Sequence, residues 1–272
     1  MKCKNWPIGV CSWSLRTDIA GVADAMKQLS LEHIHLAVRS ACGKSGTKYL
    51  EAVQGQKWII TSTMIDFPQE DYSTLETIKT TGGIVPDDCW RKNKKLFIAA
   101  AQVTAKLGVK FLSMHAGFID ETDTAHARKL HNRIRTLADT AGENNITLLL
   151  ETGQETAEEL RNFLEKLNHP SVGVNFDPAN MILYNKGDPT EAVRVLAPWV
   201  KHLHVKDAIR TEKPGTWGTE VPWGKGQVGI EKFLILLQEI RFNGAMAIER
   251  EAGDNRFGDI KIAVERLYAF SR

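Results

Sequence analysis

Four residues that can bind a metal ion or carry a proton end short apolar runs in the second half of the chain: Glu151 in LLLETGQ, Asp177 in VNFDPAN, His204 in HLHVKD and Glu249 in AIERE. They are 26, 27 and 45 residues apart. The first two spacings each match one strand–helix unit, and the third exceeds a unit by about the length of an insertion over 207–228, so all four are expected at one rim of consecutive strands. Taken singly, a carboxylate at a strand end is more often a helix cap or a surface ion pair. Taken together, three carboxylates at one rim repel one another and need a cation. Three carboxylates and one imidazole suit a single divalent ion, with Mn²⁺, Mg²⁺ or Co²⁺ favoured and Zn²⁺ also compatible. Such an ion can stabilise the enediolate that forms when a proton leaves carbon next to a carbonyl. Two carboxylates on opposite faces of a substrate can remove that proton and return it. Glu151 and Glu249, on the fifth and eighth strands, are the expected acid–base pair.

Residues so placed need parallel strands alternating with helices. Eight apolar or β-branched runs provide them, over 7–13, 33–38, 57–65, 109–116, 146–152, 171–177, 200–206 and 244–250. The apolar spacing predicts helices over 91–107 and 125–141. Gly108, Gly142 and Gly244 fall where left-handed helix caps are expected. Eight strand–helix units in a chain of 272 residues match a closed (β/α)8 TIM barrel, which typically takes about 250. No GxGxxG follows the first strand, which argues against an open dinucleotide-binding sheet. The fold class is α/β, with residues 1–272 read as a single barrel domain. The segments 66–90 and 207–228 are too long for simple turns and should cross the barrel mouth, the first as a lid or a dimer contact.

Composition narrows the partners. With 35 basic and 33 acidic residues the formal charge is +2, which gives no electrostatic footprint for nucleic acid or a membrane surface. The four cysteines, Cys3, Cys11, Cys42 and Cys89, form no CxxC pair and read as free thiols in a reducing, cytoplasmic compartment. No apolar run approaches the roughly 18 residues of a spanning helix. Partners must therefore be argued from the sites, with a homo-oligomer left open. Trp13, Trp217 and Trp223 could offer apolar faces to a ligand ring, although tryptophan near a barrel mouth is more often packing. The Gly224–Lys225–Gly226 turn could cradle an anion, or could merely close its loop.

Nearly the whole chain resembles the sugar phosphate isomerase/epimerase group of xylose-isomerase-like barrels, which includes ketose 3-epimerases, hydroxypyruvate isomerases and inosose dehydratases. The pieces that carry the resemblance are IGVCSWS, LLLETGQ, NFDPANM, HLHVKDA, VPWGKGQVGI and AIERE. The resemblance implies that Glu151, Asp177, His204 and Glu249 hold one divalent metal and that the two glutamates move protons. It also implies substrate contacts for His115 in SMHAG, for Lys206 in HLHVKD and for Arg210, each with a plainer reading as a structural hydrogen bond or a surface charge. Where many members have histidine three residues after the metal aspartate, this chain has Asn180, an amide that can bond a hydroxyl but ligates metal poorly. The implied activity is a sugar isomerase or epimerase, and the implied partner a small sugar or keto sugar. An inosose or keto-sugar dehydratase on the same site is the alternative, and a non-catalytic sugar-binding barrel or an endonuclease the readings from other classes. His33, His35 and His202 are given no role beyond local hydrogen bonds.

Overall fold

The computed structural model describes residues 2–120 and 124–271. Eight parallel strands follow one another round a barrel: β1 (Trp6–Cys11), β2 (His33–Ala37), β3 (Ile59–Met64), β4 (Phe111–Met114), β5 (Thr147–Glu151), β6 (Val172–Phe176), β7 (Val200–Val205) and β8 (Ala245–Ile248). Each pairs in parallel with the next, and β8 pairs with β1, with Met246 opposite Ile8, so no barrel edge is left open. All eight expected strands are present, within a few residues at their ends. A two-residue strand, Lys2–Cys3, adds antiparallel to β1.

Side chains alternate between the two sides of each barrel strand. The outward set, such as Ile8, Val10, Ile34, Leu148, Leu150, Phe176 and Leu203, is wholly buried against the helical layer. Phe176, for example, stacks on Phe233 of the helix Ile230–Glu239, with ring centroids 6.1 Å apart. Between them, and facing the barrel axis, come His33, His35, Glu151, Asn175, His202 and His204, all nearly inaccessible. The apolar residues therefore glue the barrel to its coat of helices, while the axis of the barrel is polar.

The helices run longer than their apolar spacing alone suggests. The helix expected over 91–107 is Asp87–Lys106, and the one expected over 125–141 lies within Thr124–Glu143. One expectation is corrected. Only Gly108 of the three proposed capping glycines has a left-handed backbone, at φ 70°. Gly142 lies inside its helix, and the left-handed residues before β5 and β8 are Asn145 and Arg241. Gly244 serves a different need, because a Cβ there would come 2.1 Å from the Lys201 carbonyl oxygen.

Both long segments carry structure of their own. The first holds the helix Leu75–Thr81, started by a Thr74–Thr77 capping box. The second folds into a hairpin that pairs Asp207–Ile209 with Thr219–Val221. No described helix is long and apolar enough to cross a membrane.

Candidate metal centre and substrate cavity

The strand ends bring Glu151, Asp177, His204 and Glu249 together. One ligand atom from each lies within 4.8 Å of the others, and all four residues are buried. Nδ1 of His204 is the hub, 3.3 Å from Glu151 Oε1, 3.5 Å from Asp177 Oδ2 and 3.3 Å from Glu249 Oε2.

Each carboxylate is held by different means. Asp177 caps the helix Pro178–Leu183, its Oδ1 accepting from the backbone N–H groups of Ala179 and Asn180, which turns Oδ2 towards the centre. The helix-cap reading of an isolated strand-end aspartate is thus true of one oxygen, and the ligand reading concerns the other. Glu151 Oε1 accepts from Asn180 Nδ2 at 3.2 Å, and its Oε2 faces His115 Nε2 at 3.7 Å. Glu249 has both oxygens bonded: its Oε1 accepts from the Trp13 indole N–H and its Oε2 from Lys206 Nζ, both at 2.8 Å.

Three buried polar atoms in this group have no hydrogen-bond partner: Glu151 Oε2, Asp177 Oδ2 and His204 Nδ1. Buried polar atoms are seldom left so. Their convergence, and a donor set of carboxylate oxygens with one imidazole nitrogen, fits a divalent cation.

Charge in the group follows from its neighbours. Burial opposes ionisation of Glu249, but the His204 imidazole and Lys206 ammonium overcome it and hold the carboxyl well below the usual range. Glu151 is lowered in the same way, by His115 and His204 acting against burial. Burial dominates at Asp177 and raises it in spite of Lys206. Burial would also lower His204, yet Glu249 and the other anions around it raise it well above an ordinary histidine.

Cys11, His35 and His204 form a second cluster of potential ligands. Its members are already committed: burial pushes the Cys11 thiol up to about 12, and His35 Nδ1 bonds His204 Nε2 at 3.0 Å. That cluster is read as the packed floor of the first.

Beside the cluster opens a cavity of about 640 Å³, which Glu249 lines and Glu151, Asp177 and His204 do not. Of the residues expected at the site, Trp13, His115, Asn180, Lys206 and Glu249 line it. Lys206 is no surface charge. It is buried, with Glu249 at 2.8 Å and Glu251 at 2.7 Å. Arg210 does not line the cavity, because its guanidinium is bonded to the Asn185 side chain and the Gly187 carbonyl. Trp217 lines the cavity, whereas Trp223 is buried elsewhere. The Gly224–Lys225–Gly226 turn does act as an anion cradle, but for the chain's own Asp207 carboxylate, which accepts from the N–H groups of Gly224 and Gly226 at 2.9 Å each.

Sequence reasoning missed Tyr72, Tyr184, Glu220 and Glu251, all of which line the cavity. Glu251 had a signal, since it follows Glu249 by two residues and so leaves the strand on the same side. Tyr72 sits in a turn, Tyr184 ends the short helix Pro178–Leu183 and Glu220 lies in the three-residue strand Thr219–Val221, none long enough to show a periodicity.

A family model described as a xylose isomerase-like TIM barrel matches residues 73–270. The chain belongs to that family. Within it, the chain is 34% identical to a 3-dehydroshikimate dehydratase of Bacillus anthracis over 80 residues, 28% of each protein. The chain spans 36% and 28% of the lengths of the curated relatives it matches. A solved xylose isomerase domain protein from Planctomyces limnophilus is 29% identical, with a TM-score of 0.87 over 99% of this chain and 98% of that one. A D-allulose 3-epimerase from Methylomonas sp., solved with D-allulose, shares the fold at 15% identity, with a TM-score of 0.73 over 98% and 97% of the two chains.

Proposed function

We propose that this xylose isomerase-like barrel is a divalent-metal-dependent isomerase or epimerase of keto sugars. The observation that carries the reading is the convergence of ligand atoms from Glu151, Asp177, His204 and Glu249 within 4.8 Å of one another, the first three residues each with an unpartnered buried polar atom, beside a sugar-sized cavity that Glu249 lines. Glu151, Asp177, His204 and Glu249 would hold the ion, with Mn²⁺, Mg²⁺ or Co²⁺ the favoured occupants. When bound, it supplies Lewis-acid polarisation of carbonyl and hydroxyl oxygens.

The chain's own groups then divide the work. Glu151 Oε1, 3.3 Å from His204 Nδ1 and oriented by Asn180, would face the ion, while Oε2 is free of hydrogen bonds and available to take a proton. Glu249, ionised and with both oxygens bonded, to Trp13 and Lys206, returns a proton on the opposite face by drawing it from the Lys206 ammonium, the net proton being restored through solvent. His115 and Asn180 reach the cavity where substrate hydroxyls would lie, and the faces of Trp13 and Trp217 cover a ring.

A second reading, dehydration of a keto sugar, is favoured by one feature. Lys206 places a buried ammonium in the cavity wall, where a proton donor could help expel a β-hydroxyl after the same first proton abstraction. Incubating the metal-loaded protein with keto sugars in D₂O separates the two. Deuterium next to the carbonyl with the carbon skeleton intact supports isomerisation or epimerisation, a new conjugated-carbonyl absorbance supports dehydration, and neither from any keto sugar would sink both.

A further inference from the structure

The charges round the cavity carry an inference about its ligand, which rests on reading the cavity as a keto-sugar site. Among the described residues that line it, Lys206 is the one lysine or arginine. Its ammonium is held by two carboxylates, Glu249 at 2.8 Å and Glu251 at 2.7 Å. Guanidinium groups next to the cavity are spent in the same way. Arg250 bonds Glu220 at 2.6 Å and Asp259 at 2.9 Å, Arg39 pairs with Asp66 at 2.6 Å, and Arg210 is tied to the turn at Asn185 and Gly187. These charges thus arrive with at least one carboxylate or are turned away, and Arg256, close enough to feel Glu220 and Glu251 and without a partner at its buried Nε, does not line the cavity.

The backbone gives an independent sign of the same kind. Barrels commonly bind phosphate through amide groups in the loops after strands seven and eight. In this chain the amides after β7 converge on an anion that the protein supplies. Oδ2 of Asp207 accepts from Gly224 and Gly226 at 2.9 Å each, and Oδ1 accepts from Ala208 at 2.9 Å and Val228 at 3.1 Å. The fit is tight enough that a Cβ on Gly226 would come 2.2 Å from Asp207 Oδ1. What the cavity offers instead is an aromatic wall, including Tyr184 and Trp217, whose ring centroids are 4.7 Å apart.

We propose that the cavity takes an uncharged sugar and rejects phosphorylated or carboxylated ones, because its lysine is already neutralised and the backbone cradle after β7 is filled by Asp207. A phosphate or carboxylate entering here would lose its water without gaining a free lysine or arginine, would face Glu220, Glu249 and Glu251, and would meet a metal centre where three carboxylates already outweigh the two charges of the ion.

The test uses the full chain loaded with Mn²⁺ and matched probes: D-allulose and D-fructose, their 6-phosphates, and 3-dehydroshikimate for the carboxylate class. Calorimetric titration should show an uncharged ketose binding at least tenfold more tightly than its 6-phosphate, with 3-dehydroshikimate as weak as the phosphates. Glu251→Gln, which frees part of the Lys206 charge, should narrow that gap. An anionic probe that binds as tightly as its uncharged counterpart, or no binding by either uncharged ketose, would overturn the proposal. Proton exchange in D₂O scores the chemistry separately. Tight binding of an uncharged ketose without exchange would defeat the proton-transfer reading and leave the charge selectivity standing.

Discussion

Nδ1 of His35 lies 3.0 Å from Nε2 of His204, so the imidazole that faces the carboxylates is gripped from beneath by a second buried imidazole. The grip extends down the barrel axis. Asn175 Nδ2 also reaches His204 Nε2, at 3.1 Å, Asn175 Oδ1 meets His202 Nδ1 at 2.9 Å, and His202 Nε2 meets Thr61 Oγ1 at 3.0 Å. Burial lowers His35 to about 3 and His202 well below an ordinary histidine, so both are neutral rings whose tautomers can adapt to their partners. Such a column fixes the direction of His204 Nδ1 in a dry interior.

If that column positions His204, His35→Ala should weaken divalent-metal binding by about 10- to 100-fold, the usual effect of losing a partner behind a metal-binding imidazole. His35→Gln, which restores a polar contact, should recover part of the loss. Calorimetric titration with Mn²⁺ measures both. Wild-type affinity in the folded alanine variant would contradict the assignment.

The two oxygens of Asp177 do separate jobs, and substitution can divide them. Asp177→Asn keeps an oxygen to cap the helix Pro178–Leu183 and should leave folding stability within about 0.5 kcal/mol of wild type while weakening metal binding. Asp177→Ala loses the cap as well and should cost a further ~1 kcal/mol. Denaturant titration of both proteins without added metal tests this, and equal stabilities would show that the cap contributes nothing.

Glu155, just beyond β5, is buried away from the cavity, and burial raises its pKa to about 8, partly opposed by Lys186. An unfolded chain releases that proton near the ordinary glutamate value of 4.5. The folded protein therefore binds the extra proton, and the stability this gives is complete below about pH 4.5, shrinks as pH rises, and is gone above about pH 8. At ~1.4 kcal/mol per pH unit the change amounts to a few kcal/mol. Glu155→Gln should abolish it, so that its Tm gains on wild type as pH rises between about 5 and 8. Parallel Tm curves across that range would contradict the assignment.

Much of the fold was legible because a parallel barrel buries the outward face of every strand under helices, so each strand shows up as an apolar run such as LLLE or VGVNF. The convergence of Glu151, Asp177, His204 and Glu249 was legible for a related reason: ionisable residues at the ends of otherwise dry strands break that pattern once in each strand from the fifth to the eighth. The cavity wall was not. Tyr72 and Glu220 lie on mouth segments where no repeat marks a position, and the pairing of Lys206 with Glu251 joins residues that no spacing rule connects. The capping glycines failed for a local reason. Asn145 and Arg241 adopt the left-handed backbone themselves, which leaves Gly244 free to meet the Lys201 carbonyl closely.

Metal stoichiometry tests the central claim most directly. Elemental analysis of the purified protein after reconstitution with Mn²⁺, Co²⁺, Mg²⁺ or Zn²⁺ should find one ion per chain, with affinity reduced at least tenfold in folded Glu151→Gln and Asp177→Asn proteins. No bound ion under any of the four conditions, or an ion retained unchanged by both variants, would contradict the account.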